Sequence, residues 1–415
     1  MNTTNKIVTI NTLYDSPGGA RAQRGLESIH ANTKEKYNRA VERIEAETRK
    51  SGANVLITIQ DAEASMLQSA IAAHAKAGSA LKAGGFEAQF GEGFAGGDWW
   101  GWIRSVFDHV GADKRCPIKR PADTNIGSIA DKARVAVLAD WGTNLYGAPV
   151  SASSIDRVGG YEMLLHLGDI YYSGTDEETE ERFINAWPKR AAKISRALNG
   201  NHEMYSGGNA YFNKVLPLFD QTSSYFALQN QHWLLVGLDT AYVDHELDDQ
   251  QTAWLRTVVS NAGPRKLVLF SHHQPFSRLD RQGPKLQAAL SDLFRRRRIT
   301  AWYWGHEHEC VIYDRDLRTG LLGRCIGNGG IPAPRKSVVM NAHSVQVVND
   351  VTWKHLPADE NAPACLILDG PNPFVAGEEQ KFGPHGFLTL EFDGPGLTER
   401  IHLPDGREIF AGQVI

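Results

Sequence analysis

Between residues 133 and 308 short apolar runs recur, and each stops at a polar tip. ARVAVLAD ends at Asp140, EMLLHLGD at Asp169, and ISRALNGNH reaches Asn201. HWLLVGLD ends at Asp239, KLVLFSHH at His272 and His273, and ITAWYWGHEH at His306 and His308. Such runs predict β-strands, and successive tips lie 29 to 38 residues apart, room for one strand–helix–strand unit each. Amphipathic stretches at 249–260 and 284–298 predict intervening helices. The pattern predicts an α/β architecture with functional groups at the carboxyl ends of the strands, along one edge of one sheet.

The ends of the chain follow other rhythms. Residues 34–50 place Tyr37, Val41 and Ile44 on one helical face, and the alanine-rich stretch 61–81 predicts a second helix around Met66, Leu67 and Ile71. A glycine- and aromatic-rich stretch with no period follows at 84–102; its Trp99, Trp100 and Trp102 are expected to pack onto the remainder of the chain. A polar, proline-containing segment near 117–125 reads as a linker. Residues 1–130 are therefore expected to form a mainly helical N-terminal region, and 131–415 a catalytic domain. At the C-terminal end, GFLTLEFDG and LTERIHLPDG predict hairpin strands that complete or extend the sheet.

Composition changes this picture little. With 42% apolar and 22% charged residues the chain is ordinary for a globular protein, and a net charge of −4 argues against a nucleic-acid partner. The amino terminus has no signal-peptide core, and no apolar stretch is long enough to span a membrane, which makes a cytoplasmic location the expectation. Cys116, Cys310, Cys325 and Cys365 have no C-x-x-C spacing, so neither a zinc knuckle nor a disulfide scaffold is expected.

The chemistry lies in the tips. Asp140, Asp169, Asn201, His272 or His273, His306 and His308 are hard and borderline ligands brought to one place. Carboxylates can bridge two ions, imidazoles suit zinc, iron or manganese, and an amide oxygen completes a shell without adding charge. Asp239 is expected to be structural. The arginines 295–298 fall at the end of a predicted helix, where positive charge is favoured, and at the far end of their strand from the metals. The glycines of GNGG (327–330) offer either backbone amides to a phosphate or a tight turn.

The motifs ADWG (139–142), GDIYY (168–172), GNHE (200–203), VLFSHH (268–273) and GHEH (305–308) together resemble the calcineurin-like metallophosphoesterase family over roughly residues 133–335. The resemblance implies a β-sandwich flanked by helices (αββα). Most of the family has a histidine where this chain has Gly142, and Asp169 is followed three residues later by Tyr172. That pairing is similar to the purple acid phosphatase branch, in which a tyrosinate binds a ferric ion; Tyr171, offset by one residue, is the weaker candidate. The resemblance implies one metal held by Asp140, Asp169, Tyr172 and His308, and a second held by Asp169, Asn201, His272 and His306, with Asp169 bridging. Counting from the strand LVLFS selects His272, whereas the spacing to Pro275 selects His273. Two ions (iron, manganese or zinc) would generate a metal-bound hydroxide that attacks phosphorus. His202 is expected to face a small phosphorylated substrate, stabilising charge or protonating the leaving oxygen. His273, Glu203 and Tyr205 are candidates for the substrate pocket or for supporting the ligands, and phosphomonoesters are expected ahead of phosphodiesters.

Overall fold

The computed structural model describes residues 58–78 and 115–415 apart from 281, together with residues 35–47 apart from 37, 41 and 45. Residues 35–47 are helical where described, and Ala40 and Ile44 are buried. Lys36 and Arg39 pair with Glu63 at the start of α1 (Ala62–Gly78), the helix that the alanine-rich stretch predicts. The expectations for Tyr37, Val41, Ile71 packing, the 84–102 stretch and its three tryptophans fall outside the described residues.

The apolar runs become strands of two sheets stacked face to face, not one. In chain order the strands are β1 (Gly127–Ser128), β2 (Lys132–Leu138), β3 (Tyr161–His166), β4 (Ala192–Ala197), β5 (Phe226–Gln229), β6 (Trp233–Gly237), β7 (Lys266–Ser271) and β8 (Ile299–Trp304). They continue as β9 (Cys310–Tyr313), β10 (Leu322–Ile326), β11 (His343–Val348), β12 (Val351–Leu356), β13 (Cys365–Asp369), β14 (Phe387–Asp393), β15 (Gly396–His402) and β16 (Glu408–Gln413). One sheet has the order β16-β15-β14-β2-β3-β4, the other β1-β5-β6-β7-β8-β10-β9-β13-β12-β11. Parallel pairing runs through β2, β3 and β4 in the first sheet and through β6, β7, β8 and β10 in the second. The carboxyl ends within each set therefore point the same way.

Burial on both faces explains why these strands read as unbroken apolar runs. Along β2, Val135 and Val137 enter the core between the sheets with Met163, Leu165, Val268, Phe270 and Leu388. The alternate residues Ala136 and Leu138 pack outward with Ala152 and Ile155 of α2 (Ala148–Val158) and with Phe183 and Trp187. On the far side of the larger sheet, Leu234, Val236, Leu267 and Leu269 meet Trp254, Leu255, Val258 and Val259 of α3 (Asp249–Asn261). The layers are helix, sheet, sheet, helix: a mixed α/β fold, the αββα sandwich that the resemblance implies.

Three local readings change. The helix expected over 284–298 divides into Pro284–Ala289 and Ser291–Arg295, with Leu290 leaving helical geometry between them (φ −109°, ψ 20°). The presumed linker lies against the core instead: Arg120 makes a paired contact with Asp248, and Cys116 N–H donates to Gly207 O. The arginine run serves the scaffold, Arg297 donating to the carbonyls of Leu317 and Arg318, and Arg298 to those of Arg265 and Gly263. The C-terminal hairpins do complete a sheet, since β14 pairs antiparallel with β2 and β15 and β16 follow it to the edge. All four cysteines are free and buried.

A buried ion pair joins the two sheets from inside. Arg324 on β10 donates through Nε and Nη2 to Glu399 Oε1 on β15 (2.8 and 2.7 Å), and Tyr303 OH on β8 donates to Glu399 Oε2 (3.0 Å). Both charges are almost fully buried, so the pair holds only while each partner satisfies the other. Glu399→Ala is expected to lower unfolding stability by about 3–5 kcal/mol by stranding the guanidinium. Replacing both, Arg324→Met with Glu399→Leu, is expected to recover most of that loss in the denaturant midpoint. A double variant as unstable as the single one would refute this account.

Candidate metal centre

The loops that leave β2, β3, β4, β7 and β8 meet where the two sheets come together. The smaller sheet contributes Asp140, Asp169 and Asn201; the larger contributes His272, His306 and His308. The donor groups Asp140–Asp169–His308 and Asp169–His272–His306 each lie within 4.8 Å of one another, and Asp169 belongs to both. Asp239, the sixth tip, turns away: its Oδ1 accepts from the N–H groups of Ala241 and Tyr242 and caps a turn.

The backbone is bent hard to achieve this. Asp140, Asp169, His306 and His308 all adopt positive φ (51°, 73°, 69° and 55°), a conformation that non-glycine residues hold at a cost and that gathers at functional sites. The glycine ahead of a ligand has a steric purpose. A Cβ on Gly200 would stand 2.2 Å from Asp169 Oδ1, and one on Gly305 would stand 2.5 Å from Asp140 Oδ2. The GNGG glycines pack closely behind Asp140, with Gly329 against Ala139 O and Gly330 against Trp141 O, so they are part of the scaffold.

Each carboxylate has one oxygen held by a backbone N–H and one turned into the site. Asp140 Oδ2 accepts from His306 N–H (2.8 Å), and Asp169 Oδ1 accepts from His202 N–H (3.0 Å). The remaining oxygens face the site. His272 Nδ1 donates to Leu167 O (3.0 Å), leaving Nε2 directed at Asn201 Oδ1 (2.9 Å) and Asp169 Oδ2 (3.2 Å). Asn201 is oriented by its amide N–H groups, which donate to Gln60 Oε1 (2.7 Å) and Tyr205 OH (2.8 Å). Its Oδ1 also lies 3.0 Å from His306 Nδ1.

This set fits cations better than it fits protons. Two acceptor oxygens converge on His272 Nε2, which can carry at most one proton. Burial alone would lower the His272 pKa, but the charges of Asp169 and Asp140 outweigh it and push it up to about 9. Burial would likewise raise the Asp169 carboxyl, yet His272, His202 and His306 hold it well below the usual range. Asp140, Asp169 and His272 are each hydrogen-bonded on the outer side, the arrangement in which an outer partner orients a metal ligand.

The structure distinguishes the two tyrosines by position. Tyr171, not Tyr172, enters the cluster: its hydroxyl lies 2.9 Å from Asp140 Oδ1, 3.0 Å from Asp169 Oδ2 and 2.6 Å from His308 Nε2. One phenolic proton cannot serve both carboxylates, whereas a cation at their centre would satisfy all four groups. Tyr172 points away, under Arg182, and its N–H donates to Glu178 Oε1 (2.7 Å). Arg182 also donates to Tyr171 O and to Glu178, so this ion pair clamps the two-tyrosine loop. Gly142 makes room, since a Cβ there would lie 3.1 Å from the Tyr171 ring. The phenol occupies space that a side chain at 142 would crowd.

The supporting residues divide similarly. Glu203 accepts from the N–H groups of Asp169, Ile170 and Gly200, tying the β3 and β4 loops together. Burial and the nearby Asp169 push its pKa up to about 8. His273 faces away from Asp169, toward Thr240 and His245. His202, which is buried, donates from Nδ1 to Tyr172 O, and its Nε2 lies 3.9 Å from Asp169 Oδ2 and 3.3 Å from Thr58 Oγ1. Thr58, Gln60 and His245 carried no signal in the sequence: the first two are ordinary polar residues upstream, and the third lies in a loop without a motif. Thr58 and Gln60 line a cleft of about 220 Å³ with Asp280, Gln282, His306, Glu307, His308 and Lys336.

The calcineurin-like phosphoesterase family model matches residues 133–310. No curated protein sequence matches the chain. Among solved structures the chain is similar to PhoD, at 9% identity and a TM-score of 0.43 over 70% of each chain. It is also similar to vacuolar protein sorting 29 from Cryptosporidium parvum (13% identity, TM-score 0.33, 68% of this chain and 97% of that one). A third is a cold-active protein-tyrosine phosphatase of a psychrophilic Shewanella species (10% identity, TM-score 0.29, 73% and 91%). Motifs, two-sheet architecture and family match coincide, and over residues 133–310 the chain carries a domain of the calcineurin-like phosphoesterase family.

Proposed function

We propose that the chain hydrolyses phosphate esters, phosphomonoesters first, at a centre of two divalent or trivalent ions. The observation that carries this reading is Asp169, whose carboxylate is common to two donor groups and so stands where a bridging ligand must. Asp140, Tyr171 and His308 would hold one ion with it; Asn201, His272 and His306 would hold the other. Iron, manganese and zinc all suit this donor set, and a phenol oxygen among carboxylates favours iron in the first position. When bound, the ions supply Lewis acidity toward the phosphoryl oxygens and acidify a water for attack.

The chain's own residues do the remainder. His202 is locked by the Tyr172 carbonyl, so Nε2 is the atom presented to substrate. Burial lowers its pKa, leaving Nε2 without a proton in the resting site; an incoming phosphate dianion would favour the protonated ring. A proton on Nε2 would then stand ready for the leaving oxygen. Lys336, paired with Glu309 at the cleft, adds positive charge on the side where substrate enters. The cleft's size suits a small phosphorylated compound, and the −4 net charge gives nucleic acid no advantage.

Three outcomes are expected. The protein should cleave p-nitrophenyl phosphate faster than bis-p-nitrophenyl phosphate, lose that activity on dialysis against a chelator, and regain it with added metal; activity indifferent to chelation would sink the reading, and a diester preference would reverse the substrate order. His202→Ala is expected to keep the metal content while turnover falls about 10²- to 10⁴-fold; unchanged turnover would remove His202 from the chemistry. Tyr171→Phe should lower metal content or abolish any visible absorption of the iron-loaded protein, while Tyr172→Phe leaves both unaltered. The opposite result would return the ligand role to Tyr172.

A further inference from the structure

Beside the proposed pair of metals lies a second group of imidazoles that this reading does not use. His245, His273 and His306 each offer a ring nitrogen within 4.8 Å of the others. The rings of His245 and His273 are 3.8 Å apart, and those of His273 and His306 4.6 Å. His273 is wholly buried, and its Nε2 has no hydrogen-bond partner; His245 Nε2 is also buried and unpartnered. A buried polar atom left unpaired costs stability, so two of them on neighbouring rings call for an occupant.

The outer nitrogens are provided for. His245 Nδ1 lies 2.8 Å from Asp244 Oδ1, a carboxylate–imidazole contact of the kind that orients metal-binding histidines. His273 Nδ1 lies 3.0 Å from Thr240 Oγ1; in the tautomer that binds a cation, Nδ1–H donates to that hydroxyl and Nε2 keeps its lone pair. His245 has φ 58°, a strained backbone that holds its ring inward.

We infer that His245, His273 and His306 form a third, all-imidazole site for a borderline divalent cation such as Zn²⁺. Three imidazole nitrogens with a position left open are a common zinc donor set. The inference rests on the dinuclear reading at one point, because His306 belongs to both groups. Were both sites filled, its ring would have to serve one ion through each nitrogen, as an imidazolate whose N–H proton passes to solvent.

Zinc titration of the full chain, stripped of metal beforehand and followed by calorimetry and elemental analysis, tests this. Wild type is expected to bind three equivalents and His245→Ala two; His245 is partly exposed and takes no part in the proposed pair. Asp244→Asn, which keeps every nitrogen, is expected to weaken only the last equivalent, about 10- to 100-fold. Equal stoichiometry in wild type and His245→Ala, with near-ultraviolet spectra showing both folded, overturns the third site. Two equivalents in wild type and one in His245→Ala would instead support the third site and overturn the dinuclear reading. Should His245→Ala fail to fold, an Asp244→Asn protein with wild-type affinity at every equivalent overturns the proposal.

Discussion

Two sheets have to meet for this centre to exist. Asp140 follows β2 of the smaller sheet and His306 follows β8 of the larger, and the backbone N–H of one reaches the carboxylate of the other at 2.8 Å. Leu167 O and His272 Nδ1 repeat the arrangement on the neighbouring loops. Neither sheet contains a complete ligand set. Packing between Val135, Val137, Val268 and Phe270 fixes how far apart the two rows of loops stand, so the hydrophobic core sets the separation of the donors. Core and chemistry are one geometric problem here.

Crowding is the second constraint. Left-handed backbone at Asp140, Asp169, His306 and His308 is unfavourable, and so is the meeting of acceptor oxygens around His272 Nε2. The sandwich over-determines both. Glu203 gathers three backbone N–H groups, and the Glu178–Arg182 pair fastens the tyrosine loop; each commits a buried carboxyl group to holding one of these loops in place.

Most of this was legible in the sequence, for identifiable reasons. Strands buried on both faces leave unbroken apolar runs, and a close approach of backbone to carboxylate leaves a glycine at 200 and at 305; both are local signals. The pairing of runs into two sheets is not local: the tips alone read as one sheet, and it was the family resemblance that implied the sandwich the structure has. The choice between Tyr171 and Tyr172 was equally hidden, because it depends on where Arg182 and Glu178 pull the loop and on the space beside Gly142. His272 and His273 are neighbours whose rings point to opposite sides, and spacing rules gave conflicting answers for them. The helix over 284–298 kept its apolar rhythm across the break at Leu290, so periodicity could not show the interruption.

Gln60 lies well upstream of the segment that carries the ligand motifs, yet its carbonyl oxygen holds the amide of Asn201, and Thr58 lies beside His202. Ownership of the centre is thus divided between two stretches of chain under different constraints. The downstream stretch supplies the donor atoms, and the upstream stretch reaches them only through neutral hydrogen bonds. Under the phosphoesterase reading proposed above, substitutions around position 60 would therefore act on the approach to Asn201 and His202 while leaving the proposed ligands in place.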